Sequence, residues 1–310
     1  MGTIFNVTLP FFALIGCGYL AVKLKVFPDS GIAGLNAFVW YFALPCLIFR
    51  ALALRPLVEI LDAPYIAGWA LGGWAVYVVV GLLGRLLFKV SFGVALLQGQ
   101  AAELSNIGYM GLPLTIALFG DAATVPAVLA MLTDMILVQT PTMALLEVAQ
   151  NRGGNPAAVA GKVLKGVATN PLVLAVMAGA LVAAAKLPLP VPVNSFTEIL
   201  GRAAGPCALF AIGAKLAGQP VSEGVAEVGL MTVGKLVLHP LAVFAAMGFF
   251  LRDPERITMA VLLAALPIGG NVFVVAQSFG IYAARASTAI LVSTAVGVVS
   301  FSALAALLVS

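Results

Sequence analysis

Asp134 stands alone near the middle of an apolar run, Val125 to Leu146, beside Thr133 and five residues before Gln139. An unpaired carboxylate at the centre of a bilayer-spanning helix costs at least about 2.5 kcal/mol on insertion scales, so its presence points to proton carriage or to holding a small cation. The plainer alternative is a hydrogen-bonded aspartate packed against a neighbouring helix. Lys235 and His239 are four residues apart and share a helical face. Lys235 either supplies the positive charge an anionic substrate needs or snorkels to the cytoplasmic end, about nine ångströms away at 1.5 Å per residue. His239, the single histidine, reads as a helix-bonding side chain, since no second His or Cys sits at metal-ligand spacing. Glu103 and Gln98 precede it in the chain as weaker candidates, because Glu103 could simply face a vestibule. Asp134, Glu103 and His239 are thus the expected coupling groups. No resident metal or cofactor is expected beyond Na+ or H+ as a coupling ion.

Two further segments could bind an anion. One reads Leu104-Ser105-Asn106-Ile107-Gly108-Tyr109-Met110-Gly111-Leu112-Pro113, the other Leu266-Pro267-Ile268-Gly269-Gly270-Asn271. Proline removes a backbone donor, glycine tolerates non-helical angles, and the freed backbone groups must find partners in protein or in a water-filled cavity. Half-helix N-termini exposed by such breaks carry partial positive charge suited to a carboxylate. The amides of Asn106 and Asn271 would add donors. The alternative is that Pro and Gly merely kink the helices and the Asn side chains bond across them.

The elements that hold these residues follow from composition. Of 310 residues, 62% are hydrophobic and only 9% are charged, with a mean hydropathy of +1.12. A soluble domain carries roughly 25% charged residues, so this chain belongs in a bilayer. Its net charge of +4 comes from scattered residues, not from the basic face a nucleic-acid binder needs. Cys17, Cys46 and Cys207 lie unpaired in apolar runs and read as buried packing residues. No phosphate loop, nucleophile elbow or zincin motif occurs, which argues against an enzyme and against ATP hydrolysis in this chain.

Hydropathy breaks fall at Lys23–Ser30, Arg55–Pro64, Arg85–Ser91, Gly120–Thr124, Glu147–Lys165, Lys186–Ser195, Lys215–Glu227, Arg252–Arg256 and Phe279–Arg285. Nine breaks predict ten spans. The odd breaks hold nine basic residues and the even ones six, which places the odd loops in the cytoplasm and both termini outside. Arg50, Arg202 and Lys215, near span ends, read as interfacial anchors. Pro45-Cys46 falls on Pro206-Cys207 at an offset of 161, and at that offset Phe49 meets Phe210, Lys25 meets Lys186 and Thr133 meets Thr294. Two halves of five spans each, an odd number, must enter the membrane oppositely. The predicted fold is therefore all-α and membrane-integral: residues 1–150 a first five-helix repeat, 151–165 a cytoplasmic linker, 166–310 an inverted second repeat, with broken fourth and ninth helices. Such architecture is characteristic of secondary transporters.

The segments Asn36–Phe49 (NAFVWYFALPCLIF), Ser105-Asn106-x-Gly-Tyr-x-Gly-Leu-Pro113, Gly205-Pro-x-Ala-Leu-Phe-Ala-Ile-Gly213 and Leu266-Pro267 followed by Gly270-Asn271 resemble the auxin efflux carrier family. The chain is most similar to its bacterial branch, often assigned as malonate or small-carboxylate transporters, and the resemblance runs over essentially the whole chain. It implies crossing fourth and ninth helices with Asn106, Pro113, Pro267 and Asn271 at the centre of an anion site. Ser105, Gly108, Tyr109, Gly269, Gly270 and Lys235 complete the candidate binding set. It also implies a scaffold (spans 1, 2, 6 and 7), through which a homodimer would form, and a mobile transport unit (spans 3–5 and 8–10), in a bacterial inner membrane. The long cytoplasmic loop of plant members is reduced here to Asn151–Lys165. The expected function is alternating-access transport of a small organic anion, malonate-like or auxin-like. A sodium-coupled symporter of the bile-acid type, a channel and a non-transporting sensor are the rival expectations.

Overall fold

The computed structural model describes residues 2–60, 62–150, 161, 165–166, 168–218 and 224–309, and among them it is helical throughout, with no β-strand. The expected cytoplasmic linker, 151–165, lies outside the described residues apart from Gly161 and Lys165. Six helical stretches are long and apolar enough to cross a bilayer: Ser30–Ala53, Leu57–Phe88, Ile107–Ala149, Val191–Ala217, Val225–Phe250 and Ala283–Leu308. Leu9–Lys23 and Pro171–Ala184 are shorter apolar helices.

Helix starts are written in the sequence as caps. Asp62 accepts from the Tyr65 N–H at 3.1 Å, Asn170 from Leu172 at 2.9 Å, and Asp253 from Glu255 at 3.0 Å. Each cap precedes a proline at the first or second helical position, where a missing N–H costs nothing. Prolines deeper in the helices have another effect. Four π-helical turns, Val39–Ala43, Ile107–Gly111, Asp134–Gln139 and Gly234–Leu238, each end two residues before a proline: Pro45, Pro113, Pro141 and Pro240. The proline ring clashes with the carbonyl four residues back and offers it no donor, so the helix widens by one residue. At Pro141 the freed carbonyl, Leu137, accepts from the Trp74 indole N–H at 3.1 Å.

Two sets of helices pack chiefly among themselves. Gly2–Lys23 lies on Ala204–Ala217 and Leu44–Ala53 on Pro171–Ala184, while Ala63–Phe88 packs against Phe92–Glu103 and His239–Phe250. Glycines permit the closest approaches in the first set. A Cβ on Gly18 would run into the Phe210 carbonyl and the Ala214 nitrogen. One on Gly179 would meet the Phe49 carbonyl and the Ala53 nitrogen. All three residues of the second contact differ from those of the first by 161 positions. The same spacing recurs at the helix ends. Lys25 (φ 57°) and Lys186 (φ 51°) are both left-handed, and the bonds Lys25 N–H to Val22 (3.0 Å) and Val26 N–H to Ala21 (2.9 Å) recur as Lys186 to Ala183 (3.1 Å) and Leu187 to Val182 (3.2 Å).

One expectation needs correction, and two gain detail. Cys17 is exposed and Cys46 and Cys207 are half-buried, because in a membrane helix the outward face is apolar as well and burial is no longer what apolar sequence predicts. Arg50 and Arg202 are both paired: Arg50 bonds Asn194 at 2.8 Å and pairs with Glu198 at 3.3 Å, and Arg202 reaches the same carboxylate. Lys215, exposed in the last turn of Ala204–Ala217, also lines a cavity.

Candidate functional site

The helix Phe92–Glu103 stops at Leu104, and Pro254–Ala264 stops at Ala265. Between these ends and the next helical turns the two segments unwind and cross. Ser105 and Ile268 pair as an isolated antiparallel bridge, with the Asn106 N–H donating to the Pro267 carbonyl at 3.0 Å and the Gly269 N–H donating to the Leu104 carbonyl at 2.8 Å. The two broken segments thus satisfy each other's backbone groups, which is the condition for non-helical backbone inside a membrane protein. The Ile268 N–H finds a third partner in the Ser293 hydroxyl at 3.2 Å. Close approach at the crossing requires Gly269, where a Cβ would lie 3.1 Å from the Ser105 carbonyl oxygen.

Immediately beyond the crossing, one helix restarts at Ile107 and continues through Leu112–Phe119, and the other restarts at Asn271 and runs to Phe279. The first N–H groups of a helix have no intrahelical partner. Both restarts face a cavity of about 550 Å³, within the range of small-molecule sites. Ser105, Asn106, Gly108, Tyr109, Gly269, Gly270 and Asn271 line it, as does Asp134. The Asn271 amide reaches Gln139 at 3.4 Å, tying the restart to the π turn that carries Asp134. Asn36, Lys215 and Ser287 also line the cavity, each within two turns of a helix end next to an odd-numbered break.

Pro113, Pro267, Lys235, Glu103 and His239 stand behind this lining. Pro113 packs on Gly205 and Pro267 on Gly297, where an added Cβ would meet the rings at 3.1 Å and 2.9 Å. The prolines therefore shape the broken helices and are seated in notches of neighbouring ones. Lys235 is fully buried, which removes the snorkelling alternative. Its ammonium donates to the Ala264 carbonyl at 2.5 Å, at the end of the helix leading into the crossing, and lies 2.8 Å from His239 Nδ1. A lysine four carbons long has no route to water when helices pack on every side of it.

Asp134 is 2% exposed, and its Oδ1 accepts from the Trp69 indole N–H. Trp69 in turn meets the His239 ring edge-on at 5.6 Å between centroids. Glu103, fully buried against Gly73, lies within electrostatic range of both Asp134 and Lys235. It faces no vestibule. Glu103, Asp134, Lys235, His239 and Trp69, drawn from four separated stretches of chain, form one buried polar cluster directly behind the cavity wall. Trp69 was missing from the sequence-derived set; an indole in an apolar run carries no signal of its partner. Lys215 joins the cavity lining from the last turn of its helix, and span-end position does not tell which face a side chain takes. Among the described residues no group of three or more His, Cys, Asp and Glu is arranged to hold a metal.

An all-helical integral membrane protein with a cavity where two broken helices meet has the form of a membrane transporter. The family model described as membrane transport protein matches residues 3–304, and the chain belongs to that family, the auxin efflux carrier family. It is 35% identical over 305 residues to the Rhizobium meliloti (strain 1021) protein named "Putative malonate transporter", covering 98% of this chain and 95% of that one. It is 24% identical over 302 residues to the uncharacterized transporter YfdV of Escherichia coli (strain K12), covering 94% and 92%. A third relative, the lysosomal cholesterol signaling protein of Mus musculus, is 25% identical over 253 residues, 77% of this chain but 29% of its own length. The chain is thus grouped with membrane transporters.

Proposed function

We propose that this protein is a secondary transporter that moves a small organic anion by alternating access. The observation that carries the reading is the backbone exchange between Leu104–Asn106 and Pro267–Gly269, which aims two helix N-termini into one cavity. Ser105, Asn106, Gly108, Tyr109, Gly269, Gly270 and Asn271 bind the carboxylate there. Pro113 and Pro267 hold the breaks open. The relative named for malonate supports a malonate-like dicarboxylate over a bulkier auxin-like acid.

The architecture in this reading is ten spans in two inverted repeats, 1–150 and 166–310. Equal contacts at Gly18 and Gly179, and equal turns at Lys25 and Lys186, support it. The helices that pack around Gly18 and Gly179 are the scaffold, through which two copies associate, and the others carry the site. With the odd loops in the cytoplasm and the termini outside, the cavity is open to the cytoplasmic face. Asp134 and Glu103, with His239 beside them, couple transport to an ion through the buried cluster. Lys235 acts there by holding the Ala264 carbonyl next to the crossing and not by touching the anion.

The test is counterflow in proteoliposomes with labelled malonate, succinate, acetate and indole acetate, with sodium and pH varied. Saturable exchange against a gradient is expected. No transport across the panel would overturn the anion reading, and rates unchanged when choline replaces sodium would remove the sodium-symport alternative. The likeness to a protein named for signaling keeps one second reading alive, a membrane sensor that binds without moving its ligand. Binding without counterflow would be its signature.

A further inference from the structure

Lys215 is the only basic residue among those lining the cavity. It projects, exposed, from the last turn of the Ala204–Ala217 helix, which packs closely against Gly2–Lys23 at Gly18 and Gly213. Its ammonium rests 5.4 Å from the centroid of the Phe273 ring. No carboxylate pairs with it among the described residues. Phe273 is the third residue of the Asn271–Phe279 helix, so the ammonium sits one turn from the restart that faces the anion. A lysine over an aromatic face is stabilised but keeps its donors free.

The cavity therefore has two separate centres of positive potential, the N-terminal ends of the helix restarts beside the crossing and the ammonium of Lys215. A monocarboxylate can use only one of them. We propose that Lys215 binds the second carboxylate of a dicarboxylate whose first is held at the crossing, and that this side chain sets the preference for diacids over monoacids. This rests on the anion-transport reading and names its substrate class. The charge count agrees: with Asp134 bonded to Trp69 and turned toward the buried cluster, Lys215 is the one counter-charge the wall offers to a second carboxylate. Because Lys215 and the crossing belong to helix sets that pack chiefly among themselves, a diacid would also bridge the two sets.

Purified full-length protein in proteoliposomes tests this, using malonate, succinate and glutarate against acetate and propionate. Wild type should favour at least one diacid over both monoacids by tenfold or more in kcat/KM. Lys215→Met should raise KM for that diacid at least tenfold and change the monoacid KM less than twofold, and Lys215→Arg should keep most of the preference. Ligand-induced thermal stabilisation of the same variants in detergent gives a readout independent of turnover and shows whether each is folded. Equal losses for diacids and monoacids in folded Lys215→Met, or no diacid preference in wild type that still transports monoacids, would overturn the role of Lys215 alone. Neither binding nor uptake of any acid by wild type would overturn the anion reading itself.

Discussion

The Asn106 N–H donates to the Pro267 carbonyl at 3.0 Å, joining two helix breaks 161 residues apart in the chain. Each break alone would leave backbone groups unpaired in the membrane, a cost of several kcal/mol per group. Together they form a two-bond junction that is stable only while the strands stay in register. The helix restarts that flank it are aimed by that register, so the junction sets the geometry of the proposed anion site.

Gly269→Val should separate the crossing, since even a Cβ would stand 3.1 Å from the Ser105 carbonyl oxygen and 3.3 Å from the Leu104 side chain. Overpacking of this kind costs about 1–3 kcal/mol. The expected result is a protein that still inserts and purifies, with uptake lost. Wild-type uptake by Gly269→Val would show that the register is not what aims the site.

Asp134→Asn should abolish driven uptake, or its pH dependence, while the fold survives, because an amide oxygen can still accept from the Trp69 indole. Trp69→Phe removes that donor and should cost about 1.5–3 kcal/mol, the range for a hydrogen bond to a charged group. Uptake and thermal unfolding in detergent, measured on both variants, separate coupling from stability. Undiminished, pH-dependent transport by Asp134→Asn would leave Asp134 a structural residue.

Lys235→Met takes the one cation out of a buried cluster that holds two carboxyls. Breaking such a charge set by removing one partner costs about 3–5 kcal/mol. Adding Glu103→Gln to Lys235→Met should recover a large part of the loss in detergent unfolding. Additive losses in the double variant would mean that the two side chains do not interact.

Gly18→Leu and Gly179→Leu push side chains into equivalent backbone contacts, at Phe210 and at Phe49. Each should destabilise by about 1–3 kcal/mol, and the two should be similar in size. A large effect at one site with none at the other would argue against two equivalent halves.

Much of this was legible in the sequence for a plain reason. Bilayer solvation forces apolar composition and helical backbone, so hydropathy breaks mark helix ends, as they do at Lys25, Lys89, Lys186 and Tyr282, where the backbone turns left-handed. Proline and glycine act locally, so Pro113 with Ser105-Asn106, and Pro267 with Gly269-Gly270, announced where helices would fail. A carboxylate too costly to leave in lipid singled out Asp134. What sequence could not decide was which of these groups would meet. Periodicity puts Lys235 and His239 on one face but cannot say that Trp69, Glu103 and Asp134 lie opposite them, and it assigns Lys215 to a span end without saying which way it points. Partnership between buried polar groups depends on how helices distant in sequence are rotated and crossed. Only the tertiary structure supplied that, with close approaches at Gly18, Gly179 and Gly269 fixing how near the helices and the broken segments come.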